Sequence, residues 1–161
     1  MKVVREGIGK TSAYVARISG VIVVLLCIGL VASLLISVFF RYIIGQALSW
    51  PEEISLILFT WLVLNAGSLG VQEGFHVRLT LVTGRLPRNL NLLLDRTTKM
   101  AIGIFGAILV YSGYDLVQRT AEHLTPTLRI PLDWLNYAAP VCGFLICLHA
   151  LAALVAPGEE S

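Results

Sequence analysis

Two adjacent glutamates, Glu52 and Glu53, a Glu73-x-x-His76 pair, a lone His149 and three cysteines are the side chains whose types and spacing could do chemistry in this chain. Adjacent residues on a helix point about 100° apart, so Glu52 and Glu53 do not converge on one atom as a carboxylate pair would have to. Both stand in the motif Ser49-Trp50-Pro51-Glu52-Glu53. The Ser-x-x-Glu spacing from Ser49 to Glu52 is that of a capping box, and Pro51 sits where a missing N–H costs nothing. The motif therefore starts a helix, with its acids in the first turn where the helix dipole favours negative charge. Glu73-x-x-His76 has the spacing of carboxylate-bridged di-iron bundles, but that chemistry needs a second copy and two further inward glutamates. The sequence has one copy. His149 has no histidine at matching depth in an opposing span to complete a haem ligand pair, and it is expected to hydrogen-bond within the helices. Cys27, Cys142 and Cys147 lie inside apolar runs without Cys-x-x-Cys spacing, which fits packing residues better than zinc or a disulfide framework.

The elements that carry these residues are membrane spans. Hydrophobic residues make up 57% of the 161, charged ones 14%, and the mean hydropathy is +0.81; soluble domains carry about a quarter charged residues. After the capping box, Ile54 to Gln72 run without a charge, close to the roughly 20 residues needed to cross a bilayer core. Ile18 to Phe40 form a longer uncharged run, too long for a signal h-region and without an Ala-x-Ala-like cleavage site. Met100 to Tyr114 and Trp134 to Ala156 complete the set. The expected fold is all-α: one integral membrane domain over residues 1–161, with spans at about 18–40, 52–72, 90–118 and 133–156. Between the second and third spans, residues 77–89 alternate apolar and polar and read as a short amphipathic arm in the interface, with Val77, Leu79, Leu81 and Leu86 towards lipid. Small residues recur at helical spacing in three spans: Gly29, Ser33 and Ser37; Ala66 and Gly70; Ala139, Gly143 and Cys147. Such stripes let helices approach closely.

Basic residues orient the spans. Lys2, Arg5, Lys10 and Arg17 precede the first span, and Arg78, Arg85, Arg88, Arg96 and Lys99 lie between the second and third; Arg41, Arg119 and Arg129 fall in the other two loops. The positive-inside bias puts both termini in the cytoplasm and the Ser49–Glu53 motif outside. Asp115 stands one turn before Arg119, at ion-pair spacing.

These features exclude several functions. A net charge of +2 without a basic cluster interleaved with aromatics excludes nucleic acid as a partner. A transporter working alone needs ionisable groups or broken helices near the bilayer midplane, and no Asp, Glu, Lys or Arg lies mid-span. Stripes of small residues suggest instead that the helices dock on a larger membrane partner.

The run Arg41-Tyr42, Ser49-Trp50-x-Glu52-Glu53, Trp61, Gly67 and Glu73-Gly74-x-His76-Val77, followed by Pro126-x-Leu128-x-Ile130-Pro131, Trp134, Tyr137, Pro140 and Gly143, resembles the small membrane subunit (DctQ-like) of tripartite ATP-independent periplasmic (TRAP) transporters. The resemblance covers residues from about 18 to 156. Leu56 stands where the family often has Arg or Lys, and Thr80 where an Asp is common. The resemblance implies a non-enzymatic scaffold in the bacterial inner membrane, bracing a large elevator-type subunit that carries the organic acid and sodium, with no cofactor in this chain. It implies three partners: the large subunit, a periplasmic substrate-binding protein and membrane lipid. Arg41, Trp50, Glu52 and Glu53 would lie near the subunit interface on the periplasmic side, and Glu73 and His76 with the arm would brace the cytoplasmic side. Two alternatives stay open at this point: a four-span enzyme such as a glutathione-dependent transferase, and a haem-carrying anchor.

Overall fold

In the computed structural model, described for the backbone of residues 2–83 and 88–155 and for the side chains of 11–72, 93, 94 and 96–154, the chain is helical with no strand among the described residues. Helix α1 (Lys2–Phe39) passes into a π-helical turn (Phe40–Ile44); α2 (Trp50–Thr83), α3 (Arg88–Thr120), a single turn α4 (Asp133–Asn136) and α5 (Ala138–Val155) follow. Four stretches are long and apolar enough to cross a membrane: Thr11–Ile44, Trp50–Gln72, Arg96–Thr120 and Asp133–Leu154.

The helix ends follow from the residues present. Gly45 closes the π turn in the left-handed region (φ 76) and donates its N–H to the Phe40 carbonyl, the conformation a glycine adopts without steric cost. α4 and α5 are separated at Tyr137 because Pro140 has no N–H to offer the Asn136 carbonyl. The second span ends at Gln72, as expected, but its helix does not stop at Glu73-Gly74: helical backbone continues to Thr83. One glycine costs a helix only about 1 kcal/mol, too little to stop it. The helix has 34 residues, about 51 Å at 1.5 Å per residue, so its last turns leave a hydrocarbon core of about 30 Å. The first part of the sequence-predicted arm, 77–83, is thus a continuation of α2, and 84–87 lie outside the described residues. The side chains of Glu73, His76, Val77, Leu79, Leu81 and Leu86 also lie outside them.

The helices pack in the order α1, α2, α5, α3: α3 lies mainly on α5, α1 mainly on α2, and α2 joins α5. Among the described residues α1 and α3 make no close contact. Each outer helix is held along one face, which leaves a spread layer of helices with broad apolar surfaces. Among the described residues of α1 the buried positions are all serines (Ser12, Ser19, Ser33 and Ser37), while Val21, Leu25, Ile28 and Leu35 are exposed. Between lipid tails and protein there is no hydrophobic gain from turning Leu inwards, so small side chains and hydrogen bonds hold the helices together.

The α3–α5 seam is the closest approach. A Cβ placed on Gly143 would stand 2.7 Å from the Gly106 carbonyl oxygen and 2.8 Å from the Val110 nitrogen, and one on Gly106 would stand 2.8 Å from Cys147 Sγ. Further out, a Cβ on Gly113 would stand 2.7 Å from Pro140 Cδ. Backbone meets backbone here, and only glycine fits.

Candidate partner interface

The Ser49–Glu53 motif gathers one end of the molecule. The Pro51 carbonyl accepts from the Ser33 hydroxyl of α1 at 2.9 Å and from Ser55 at 2.7 Å, so the fully buried Pro51 ties α2 to α1. Glu52 does not turn back on its own helix; its carboxylate is held by the Arg41 guanidinium from the π turn. Both side chains are about half exposed, and a pair of this kind contributes about 0–1 kcal/mol. Arg41→Ala is accordingly expected to change thermal stability little, by about 0–4 °C; a larger loss measured in detergent would show that the pair is shielded from solvent.

Glu53 has a different task. Its carboxylate accepts the backbone N–H groups of Thr127 at 2.6 Å and Leu128 at 2.9 Å, reaching across to the loop between α3 and α4. That loop is a tight hairpin: Thr125 N–H donates to the Ile130 carbonyl at 2.9 Å, Ile130 N–H donates to the Thr125 hydroxyl at 3.0 Å, and Leu124 and Pro131 form a single antiparallel bridge. A carboxylate taking two amide protons is a charge-assisted, two-point contact, and it lays the hairpin over the start of α2. Trp50, beside these residues, is half-buried.

Deeper in the spans, polar groups pair with one another. Trp61 Nε1 donates to the Trp134 carbonyl at 2.7 Å, and the Cys142 thiol donates to the Leu64 carbonyl at 2.9 Å; both contacts tie α2 to the fourth span. Asn65 Nδ2 donates to the Trp61 carbonyl at 2.8 Å and the Ser68 hydroxyl to the Asn65 carbonyl at 2.8 Å. His149, 1% exposed, meets Ser12 with Nδ1 2.9 Å from the hydroxyl, joining α5 to the first turns of α1. The Asn136 amide donates to the Thr120 hydroxyl at 2.7 Å, and Arg119 pairs with Asp115 at 2.8 Å. Trp61→Phe removes one interhelical donor while keeping the ring; it is expected to cost about 1 kcal/mol, read as a small drop in detergent melting temperature.

The small-residue stripes fall on different surfaces. Ser33 and Ser37 are buried against α2, and a Cβ on Gly29 would lie 3.4 Å from Leu58 Cδ1. Ala139 and Gly143 face α3. Ala66 is half-buried, and Gly70 is exposed with nothing within 4 Å of its Cβ position. Sequence reading missed Gly106 and Gly113, whose seven-residue spacing along α3 was the available signal, and it missed the Glu53 hairpin contact, which bridges 74 and 75 positions of chain.

Among the described residues no three His, Cys, Asp or Glu side chains come together as a metal site. A groove of about 450 Å³ at the last turns of α1 and the π turn is lined by Leu35, Ile36, Val38, Phe39, Phe40 and Ile43, which supply no polar side chain to grip an acid.

Comparison with known proteins points to one family. Residues 30–157 match the family described as "Tripartite ATP-independent periplasmic transporters, DctQ component". The chain is 30% identical over 136 residues to the sialic acid TRAP transporter small permease protein SiaQ of Vibrio cholerae, covering 84% of this chain and 78% of that one. It is 27% identical over 135 residues to a putative TRAP transporter small permease protein of Haemophilus influenzae, covering 81% and 84%. To the C4-dicarboxylate TRAP transporter small permease protein DctQ of Rhodobacter capsulatus it is 29% identical over 110 residues, covering 66% and 48%. With its four candidate spans and a family match over most of its length, the chain belongs to the DctQ component family of tripartite ATP-independent periplasmic transporters, a small permease component and a multi-pass bacterial membrane protein.

Proposed function

We propose that this chain is the stationary scaffold of its transporter, without substrate site or enzymatic activity of its own. It braces a large membrane subunit that moves by an elevator mechanism and carries an organic acid together with sodium. The observation that carries this reading is where the polar atoms go. Ser33 and Ser55 with the Pro51 carbonyl, and Trp61 with the Trp134 carbonyl, are engaged with one another across or along helices; a transport site would hold such groups ready for a ligand. They are used to lock helices together instead. The name of one relative speaks of sialic acid and that of another of C4-dicarboxylate. Both are carboxylate-bearing solutes, which supports an organic acid as cargo.

On this reading both termini are cytoplasmic, in line with the basic bias of the N-terminal segment and of residues 78–99. Arg41, Trp50, Glu52 and Glu53 then lie on the periplasmic side, within reach of a soluble substrate-binding protein, and Glu73 and His76 brace the large subunit on the cytoplasmic side. The exposed faces of α1 and α3 meet the large subunit or lipid. Reconstitution into liposomes tests the division of labour. Solute uptake is expected only when the large subunit and the binding protein accompany this chain, and the chain alone should give none. Sodium-driven uptake by the chain alone would overturn the proposal, as would uptake at full rate by the large subunit and binding protein without it.

A further inference from the structure

Three hydrogen bonds set the helices level with one another: Ser33 of α1 with the Pro51 carbonyl of α2, Cys142 of α5 with the Leu64 carbonyl of α2, and Ser12 of α1 with His149 of α5. At equal rise per residue the first two place His149 level with Ala13 of α1, and the third finds it at Ser12. The ties agree to within one residue, so α1, α2 and α5 run side by side with little relative slip. α3 joins the same frame, because a Cβ on Gly103 would stand 3.7 Å from Ala150 Cβ and one on Gly113 would stand 2.7 Å from Pro140 Cδ.

In that frame the uncharged runs do not share a height. Measured towards the Pro51 end, the run of α1, 18–40, is centred about 26 Å beyond Ser12, whereas that of α3, 100–114, is centred only about 6 Å beyond Gly103. The run ends nearest Pro51 step down in the order in which the helices pack: Phe40 of α1, Ile54 of α2, Trp134 before α5, and Tyr114 of α3.

Exposed charges make an upright layer untenable. Arg17 is exposed and stands level with Phe144, itself exposed near the centre of the uncharged run 134–156 of the fourth span. Upright, the two would share the bilayer centre, where an arginine is among the costliest residues to place. Half-exposed Asp115, with its partner Arg119, stands level with Val24, well inside the run of α1. An incline removes both conflicts, bringing Arg17 out at one face of the membrane and Asp115 out at the other. An offset of about 20 Å across three helix spacings of roughly 9 Å each corresponds to a tilt of about 35°, inside the range that transmembrane helices adopt.

We infer that the helix layer lies inclined in the bilayer, its axes about 35° from the membrane normal, so that lipid meets it along an oblique band running from residues 18–40 of α1 to 100–114 of α3. Leu25, Ile28, Ile104 and Ile108 are exposed within that band, side chains that lipid tails solvate as well as a protein interior does. The incline follows from the spans and their mutual contacts and is independent of the scaffold reading.

Electron cryo-microscopy of the assembled transporter in lipid nanodiscs reads the mean angle of α1, α2, α3 and α5 to the disc normal. About 30–40° is expected, and a mean of about 20° or less, the ordinary tilt of a span, would overturn the inference. Labelling of the full chain in nanodiscs, with Cys27, Cys142 and Cys147 replaced by serine, gives a second reading. Arg17→Cys is expected to react with a membrane-impermeant maleimide at least about tenfold faster than Phe144→Cys, although the two positions are level along their helices. Retention of the melting temperature verifies the fold of each variant, and the microscopy needs no substitution. Equal rates at the two positions would place them at one depth and overturn the incline.

Discussion

Gly143→Leu is expected to separate α3 from α5 and abolish the folded yield of this protein. A single Cβ at 143 already stands 2.7 Å from the Gly106 carbonyl oxygen and 2.8 Å from the Val110 nitrogen, and backbone atoms cannot step aside as a flexible side chain can. Ordinary overpacking costs about 1–3 kcal/mol. Here the whole of α3 has to move, and α3 is held chiefly by this one face, so the cost should exceed that range and approach the stability of the contact itself. The control is Gly67→Leu. Gly67 is exposed on α2 with nothing within 4 Å of its Cβ position, so the same substitution there should leave the monomer intact. Size-exclusion profiles and melting temperatures in mild detergent read both. A well-folded Gly143→Leu protein would mean that α3 and α5 are not in backbone contact.

Glu53→Ala is expected to free the hairpin between α3 and α4 while leaving the spans folded. Two backbone amides, of Thr127 and Leu128, lose the acceptor that now meets them at 2.6 and 2.9 Å. Hydrogen exchange at those amides should accelerate by about tenfold or more, as for a local opening that no longer breaks a charge-assisted bond. Proteolysis at the loop should follow the same course. Glu52→Ala, one residue away, should leave both unchanged, since Glu52 is held by Arg41 and not by the hairpin. Equal effects from the two substitutions would show that the acids act through general charge at the helix start.

The contrast between these two glutamates marks what a sequence can and cannot carry. That a helix begins at Ser49–Glu53 is local: it follows from a proline in the first turn and the uncharged run behind it, although the capping box that the Ser49–Glu52 spacing suggested does not form, because Glu52 is taken by Arg41. The spans are likewise written in run lengths, and the Asp115–Arg119 pair in a four-residue spacing, because each involves neighbours along one helix. The target of Glu53 lies 74 residues on, and nothing in either segment names the other. Ser33 was legible as part of a small-residue stripe, yet its acceptor, the Pro51 carbonyl, depends on how α1 leans on α2. Gly74 shows the opposite error. A glycine within a polar stretch reads as a stop, but its propensity penalty is smaller than the gain from continuing the hydrogen-bond ladder, and α2 runs on to Thr83. Family resemblance, carried by motifs such as Trp50-x-Glu52-Glu53 and Pro126 to Pro131, was legible throughout; the positive φ of Arg129 was not, since an exposed arginine in a loop looks like any solvated charge.

If this chain serves to hold another membrane protein, as proposed, mild-detergent purification of the tagged chain from its native membrane, followed by mass spectrometry, is expected to recover a much larger multi-span membrane protein in stoichiometric yield. Recovery of the chain alone, or only as a homo-oligomer, would contradict it.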